Sequence, residues 1–385
     1  METNNLLNQT LLKATRMTGM GRLMDATRLI QRALGAVVSA PVSRPHSPAE
    51  SQTTQPAQPR YGSAHFAADI DDAVIVERQA PTVPPAKPAE FAGYSFAFEG
   101  DSYPYRLYIP PGLGHDAAPT HPEQTQATMP LIVLLHGCKQ DAKDFARGTA
   151  MNELAARHGC MVLYPEQISK ANSGRCWNWF EPGHQQPGRG EPGMIAALVR
   201  QVLASHPDAD ANRVYIAGLS AGGAMAAVVA GLHPEMFAAV GIHSGLASGA
   251  AQDLLSAFVA MRQGAKGKNS ASLPTIVFHG SGDKTVHPDN GDYITDAAVA
   301  ALRDSGLALA ESRALVDTAG GPATEKVVYR TDNGPSYVEH WRVTAGPHAW
   351  SGGDAAGSFT DPDGPSASTA MLAFFLQHSK AGAPR

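Results

Sequence analysis

VYIAGLSAGGAM, residues 214–225, begins with an apolar, β-branched run (Val214, Tyr215, Ile216, Ala217) that stops at Gly218, and a helix-forming run follows from Ala224 through Ala230. Ser220 therefore falls at a strand-to-helix turn, the context that a G-x-S-x-G motif requires if its serine is to stand out at the top of a sheet. Glycine at 218 and 222 removes the Cβ atoms that would collide with the neighbouring strand and helix in so tight a turn. Without that context the pattern is weak, because glycine makes up 38 of the 385 residues.

Outward from this turn, short apolar runs without alternation recur at 131–135, 161–164, 214–217, 238–242 and 275–278. Such runs fit parallel strands covered on both faces. Helical stretches lie between or after them, at 150–158, 194–205, 221–232, 254–261 and 291–305. A last strand at 337–343 and a helix at 366–378 close the pattern, which predicts a doubly wound α/β sheet. The domain opens near Phe91, where SFAFEGDSYPYRLYIP (95–110) alternates on both sides of Gly100-Asp101 and predicts an antiparallel hairpin.

Three segments follow from composition: a helical extension at 1–40, a linker at 41–90 and the α/β domain at 91–385. Leu7, Leu11, Leu12, Leu23, Ile30, Leu34 and Val37 recur at helical spacing with Arg16, Arg22, Arg28 and Arg32 between them, and Gly19 and Gly21 divide the run into two amphipathic helices. These helices either pack on the domain or a second copy of it, or lie on an apolar surface such as a lipid or polyester granule. Residues 41–90 are dense in Pro, Ser, Thr, Gln and Ala and bury too little apolar surface to order themselves.

A formal net charge of −5, with no block of Lys or Arg, excludes a nucleic-acid or anionic-membrane footprint. No apolar run reaches the roughly 18 residues of a transmembrane helix. LGAVVSAP at 34–41 has the ending of an export signal, but its apolar core is short and follows largely polar residues, so a cytoplasmic location is expected, with secretion as the alternative. Cys138, Cys160 and Cys176 are too few for a disulfide scaffold, and a single 138–176 bridge stays open.

A serine hydroxyl becomes nucleophilic only when a base takes its proton, and that base needs an orienting carboxylate. In chain order these should follow Ser220 as an acid and then a histidine, each on the loop after a later strand. HGSGDKTV (279–286) places Asp283 there, and AGPHAW (345–350) places His348. His279 at a strand end, His287 close to Asp283 and His340 within a strand fit structural roles better, and Asp289 and Asp292 fit a helix start. Donors for the oxyanion of a tetrahedral intermediate are the Ala221 amide and, from LIVLLHGC (131–138), the Cys138 amide. Trp177, Trp179 and Trp350 either pack in the core or form an aromatic wall for an apolar ester chain. No spacing fits zinc and no Gly-rich loop fits a nucleotide, so neither metal nor cofactor is expected.

LLHGCKQD, PEQ, NSGRCWNWF, RGEPGMIAALV, AGLSAGGAM, HGSGDKTVHP and GPHAWSGG occur in an order that resembles the esterase, polyhydroxybutyrate (PHB) depolymerase family of the α/β hydrolases, from about residue 91 to 380. The resemblance implies the α/β-hydrolase fold, a triad of Ser220, Asp283 and His348, and Cys138 in the oxyanion loop. It implies poly(3-hydroxyalkanoate) or its oligomers as substrate, with feruloyl or acetyl esters of plant polysaccharides as the alternative. A non-catalytic granule-associated protein is a further alternative, which an intact triad disfavours. The absence of a clear leader and of a polymer-binding domain after the last helix leads to the expectation of amorphous granules or soluble oligomers as substrate.

Overall fold

The computed structural model describes residues 88–112, 128–267, 272–317 and 321–380; the expected helices of 1–40 and nearly all of the expected linker lie outside them. Ten strands form one sheet: β1 (Glu90–Phe98), β2 (Asp101–Ile109), β3 (Met129–Leu135), β4 (Met161–Pro165), β5 (Ala209–Leu219), β6 (Ala239–His243), β7 (Thr275–Gly280), β8 (Ala310–Val316), β9 (Thr324–Arg330) and β10 (Ser336–Val343). Their order is β1-β2-β4-β3-β5-β6-β7-β10-β9-β8. The six strands from β4 to β10 in that order are parallel, and antiparallel pairs close both edges.

The helices are α1 (Ala142–Thr149), α2 (Met151–His158), α3 (Gly190–Ser205), α4 (Ala221–Leu232), α5 (Leu254–Gln263), α6 (Asp289–Asp304) and α7 (Ala367–Phe375). Every residue of β3 is buried, and its side chains alternate between two cores. Leu131, Val133 and Leu135 join Met194, Ile195, Leu198 and Val199 of α3 and most of α4 on one face. Ile132 and Leu134 join Phe145 of α1, Met151 of α2 and Phe374 and Phe375 of α7 on the other. This is the α/β-hydrolase arrangement that the uninterrupted apolar runs predict, since a strand covered on both faces has no polar side to show.

Two features differ from the sequence-based expectation. Helix α1, capped by Asp141 whose side chain accepts from the Lys143 and Asp144 amides, has a charged face that masks its buried Phe145 and Ala146. Strands β8 and β9 form an antiparallel edge beyond β10, and β8 is exposed along nearly its whole length, so it carries no burial pattern to read. Asp289 and Asp292 lie in the first turn of α6, preceded by Pro288 at the cap position. There they suit the positive end of the helix dipole.

Candidate active site

Because the central strands run parallel, their C-terminal ends share one edge of the sheet, and the loops that leave β3, β5, β7 and β10 start there in register. Leu135 of β3 lies opposite Gly218 of β5, and Gly280 of β7 lies opposite Val343 of β10. Ser220, Asp283 and His348 each follow one of these ends within five residues.

Ser220 has φ 57° and ψ −120°, a conformation in which an L-residue is strained by about 1–3 kcal/mol. The turn is locked by close packing: a Cβ on Gly222 would lie 2.1 Å from the Leu135 carbonyl oxygen and 2.5 Å from that of His136. The Ser220 amide donates to the His243 carbonyl across the sheet at 2.9 Å. Its hydroxyl lies 2.9 Å from His348 Nε2, and His348 Nδ1 lies 2.6 Å from Asp283 Oδ2. A carboxylate only accepts, so Nδ1 carries the ring proton and Nε2 is left with the lone pair that can take a proton from the serine.

Asp283 is held by more than one partner. Its Oδ1 accepts from the Thr285 and Val286 amides at 2.8 and 2.9 Å. His279 Nε2 donates to the Val286 carbonyl at 3.0 Å and stands 3.5 Å from Asp283 Oδ2. Burial alone would push the Asp283 carboxyl up, but hydrogen bonds from His279, His348 and Val286 outweigh it and hold the group well below the usual carboxylate range. The group is therefore ionised wherever His348 is to act.

The turn after β3 reaches the same place. Since Gly222 packs on Leu135 and His136, the start of α4 and residues 136–138 are neighbours, and among the described residues the amides of Ala221 and Cys138 donate to no protein acceptor. His136 is the residue that shapes this turn. Its Nε2 accepts from the Gln167 amide at 3.1 Å, which leaves Nδ1–H to donate to the Gly137 carbonyl at 2.7 Å. Burial lowers its pKa to about 4, so it stays neutral. Gln140 Oε1 accepts from the Gly137 amide, and its Nε2 donates to the Ser358 carbonyl, both at 2.9 Å. Cys138 is bonded to Cys176, which resolves the pairing that composition left open.

Of the two readings of Trp177, Trp179 and Trp350, the structure shows core packing and not an aromatic wall. Trp177 and Trp350 are 0% and 1% exposed, and each indole N–H is satisfied inside the protein, by the His136 carbonyl at 3.1 Å and Ser368 Oγ at 2.9 Å respectively. Trp179, 3% exposed, packs edge-on to Phe180 in the core beside α3. Burying the indoles removes more apolar surface from water than a half-exposed wall would. Sequence reasoning missed His243, whose ring stacks between Phe278 and Trp350 and whose carbonyl anchors the nucleophile turn. Its only sequence signal is a polar residue ending a buried strand, as at His136 and His279. His287 and His340 contribute no contact to Ser220 or Asp283 among the described residues. No group of three or more His, Cys, Asp or Glu side chains there converges on a metal-sized site.

A family model described as esterase PHB depolymerase matches residues 103–308, more than half of the chain. The chain is 33% identical over 242 residues to poly(3-hydroxyalkanoate) depolymerase C of Paucimonas lemoignei, covering 59% of this chain and 56% of that protein. It is 37% identical over 123 residues to feruloyl esterase B of Neurospora crassa, covering 31% and 41%. The chain thus spans about half the length of the curated relatives it matches. Among solved structures, an acetyl xylan esterase from Aspergillus awamori superposes with a TM-score of 0.54 at 17% identity, over 74% of this chain and 99% of that one, a likeness of fold. With its motifs in the family's order and the family model matched across the sheet that carries Ser220 and Asp283, this chain belongs to the esterase PHB depolymerase family.

Proposed function

We propose that this chain is a serine esterase that opens the ester bonds of poly(3-hydroxybutyrate) or its oligomers through an acyl-Ser220 intermediate. The observation that carries this is the single imidazole of His348 bridging Ser220 Oγ at 2.9 Å and Asp283 Oδ2 at 2.6 Å. Ser220 Oγ attacks the ester carbonyl carbon as His348 Nε2 takes its proton, and Asp283 stabilises the imidazolium. The carbonyl oxygen, now negative, is held by the amides of Ala221 and Cys138. On collapse the alkoxide leaves as the alcohol with the proton from His348, and water then repeats the sequence to free the acid.

The depolymerase relatives support the polyester, and the feruloyl esterase relative favours a second reading, an aryl or acetyl ester of a polysaccharide. Rates measured side by side separate them: release of 3-hydroxybutyrate from amorphous polymer and oligomers is expected to exceed release of ferulate or acetate. The reverse order makes the second reading the right one. Contact of residues 1–40 with a granule surface is an extension of the first reading, and a fluorescent fusion of that segment that stays off granules removes it. The Cys138–Cys176 bridge supports an oxidising compartment over the cytoplasm. Non-reducing peptide maps of the protein taken from each cell fraction test this. Among the described residues no helix is long and apolar enough to cross a membrane.

A further inference from the structure

Three segments that mark this chain, PEQ at 165–167, CWNWF at 176–180 and RGEPGM at 189–194, hold no member of the triad. They meet at one carboxylate. Glu191, 2% exposed in the first turn of α3, accepts from the Asn178 amide and from Asn178 Nδ2, each at 2.6 Å, and from Gln167 Nε2. Every one of these contacts presents a donor, which the two oxygens of a carboxylate satisfy and a neutral side chain does not. The loop before α3 is folded over this group. Gly190, at φ 58°, leaves room for the His184 ring, which a Cβ there would meet at 2.4 Å, and His184 Nδ1 stands 3.5 Å from Glu191 Oε2.

From Glu191 the contacts lead to the oxyanion turn by three routes. Gln167 Nε2 also donates to the Cys176 carbonyl at 3.1 Å, while its backbone amide fixes His136. Trp177, next to Asn178, donates to the His136 carbonyl at 3.1 Å. Cys176 is bonded to Cys138, and the Lys139 amide donates to the Gly174 carbonyl at 2.7 Å. A buried carboxylate is costly to desolvate unless it is fully hydrogen-bonded, so a core keeps one where its geometry is needed.

We propose that Glu191 is a positioning residue for the reaction: through Gln167, Asn178 and the bridged Cys176 it fixes residues 136–138 so that the Cys138 amide points at the developing oxyanion. The inference rests on the esterase reading above. An oxyanion donor acts in the transition state and not on bound substrate, so its misplacement lowers kcat and leaves KM nearly alone. Glu191→Gln keeps the shape but turns an NH2 group toward donors. It is expected to lower kcat on a nitrophenyl butyrate about 10- to 100-fold per folded molecule, with KM changed by less than about threefold, and to slow fluorophosphonate labelling of Ser220 in parallel. Gln167→Leu, which keeps the backbone contact to His136, is expected to do the same more weakly and stands in if the first variant does not fold.

Folded fraction is measured by circular dichroism and melting. A folded Glu191→Gln with wild-type kcat overturns the proposal. So does a loss of activity that vanishes once rates are divided by folded protein, or, where only Gln167→Leu folds, an unchanged kcat in that variant. A wild type that cleaves no nitrophenyl ester and takes no label removes the esterase reading instead, so the two failures are distinguishable.

Discussion

Ser220 pays for its exposure to the imidazole with a strained backbone, and the atoms that enforce the strain are identifiable. With a Cβ at position 222 only 2.1 Å from the Leu135 oxygen, Gly222→Ala has no relaxed solution, because both sides of the clash are backbone. Its expected outcome is loss of soluble folded protein, read as expression yield and melting temperature. Asp283→Asn is expected to be folded and nearly inactive, with kcat lower by roughly 10³- to 10⁴-fold, because an amide in place of Oδ2 favours the wrong imidazole tautomer. A stopped assay with normal binding of a substrate analogue separates this from unfolding. At this scale much was legible in the sequence: a motif, a chain order and the loops after two strands single out Ser220, Asp283 and His348, the three side chains that stand within hydrogen-bonding distance of one another. The indoles of Trp177 and Trp350 were not, since a tryptophan's spacing does not say whether its ring faces a cleft or a core.

The turn after β3 carries the Cys138 amide, proposed above as an oxyanion donor, and it is held from both sides. Gln140 ties it to Ser358 in the loop beyond His348, and the 138–176 bridge ties it to the segment ahead of α3. A disulfide that closes a loop of this length, 38 residues of separation, contributes about 2–4 kcal/mol. Reduction with a thiol is therefore expected to lower the unfolding midpoint in urea and, since the turn loosens, to lower kcat as well. An unchanged midpoint and rate after verified reduction would show that the bridge supports neither. Legibility varied among elements for a physical reason. Strands β3, β4, β6 and β7 and the second half of β5 are buried and read as apolar runs, whereas β8, open to solvent, reads as an ordinary polar stretch. The sequence names 138 and 176 as a possible pair, but whether they bond depends on how closely the fold brings them together, which composition does not say.

At the scale of the molecule, four histidines among the described residues sit buried and neutral: burial lowers His136 and His378 to about 4 and His243 and His340 to about 3. Unfolded, each ring takes up a proton near pH 6.5. Their neutral burial therefore stabilises the protein fully above about pH 6.5, and the contribution is lost as the pH falls toward 4, at about 1.4 kcal/mol per pH unit for each ring. His184 works in the opposite sense: burial opposes its charge, but Glu191 outweighs that and raises its pKa, so its contribution fades as pH rises through the folded value. Four rings against one predict an unfolding midpoint that is flat above pH 7 and drops steeply below about pH 6. A midpoint unchanged down to pH 4.5 would contradict these burials. The central claim, that one hydroxyl is activated where four strand ends meet, is tested most directly by reacting the purified chain with a fluorophosphonate, mapping the adduct by peptide mass and following ester hydrolysis in the same tube. The account predicts an adduct on Ser220, hydrolysis falling in step with labelling, and neither in Ser220→Ala. Hydrolysis that persists in Ser220→Ala, or an adduct on another residue, would contradict it.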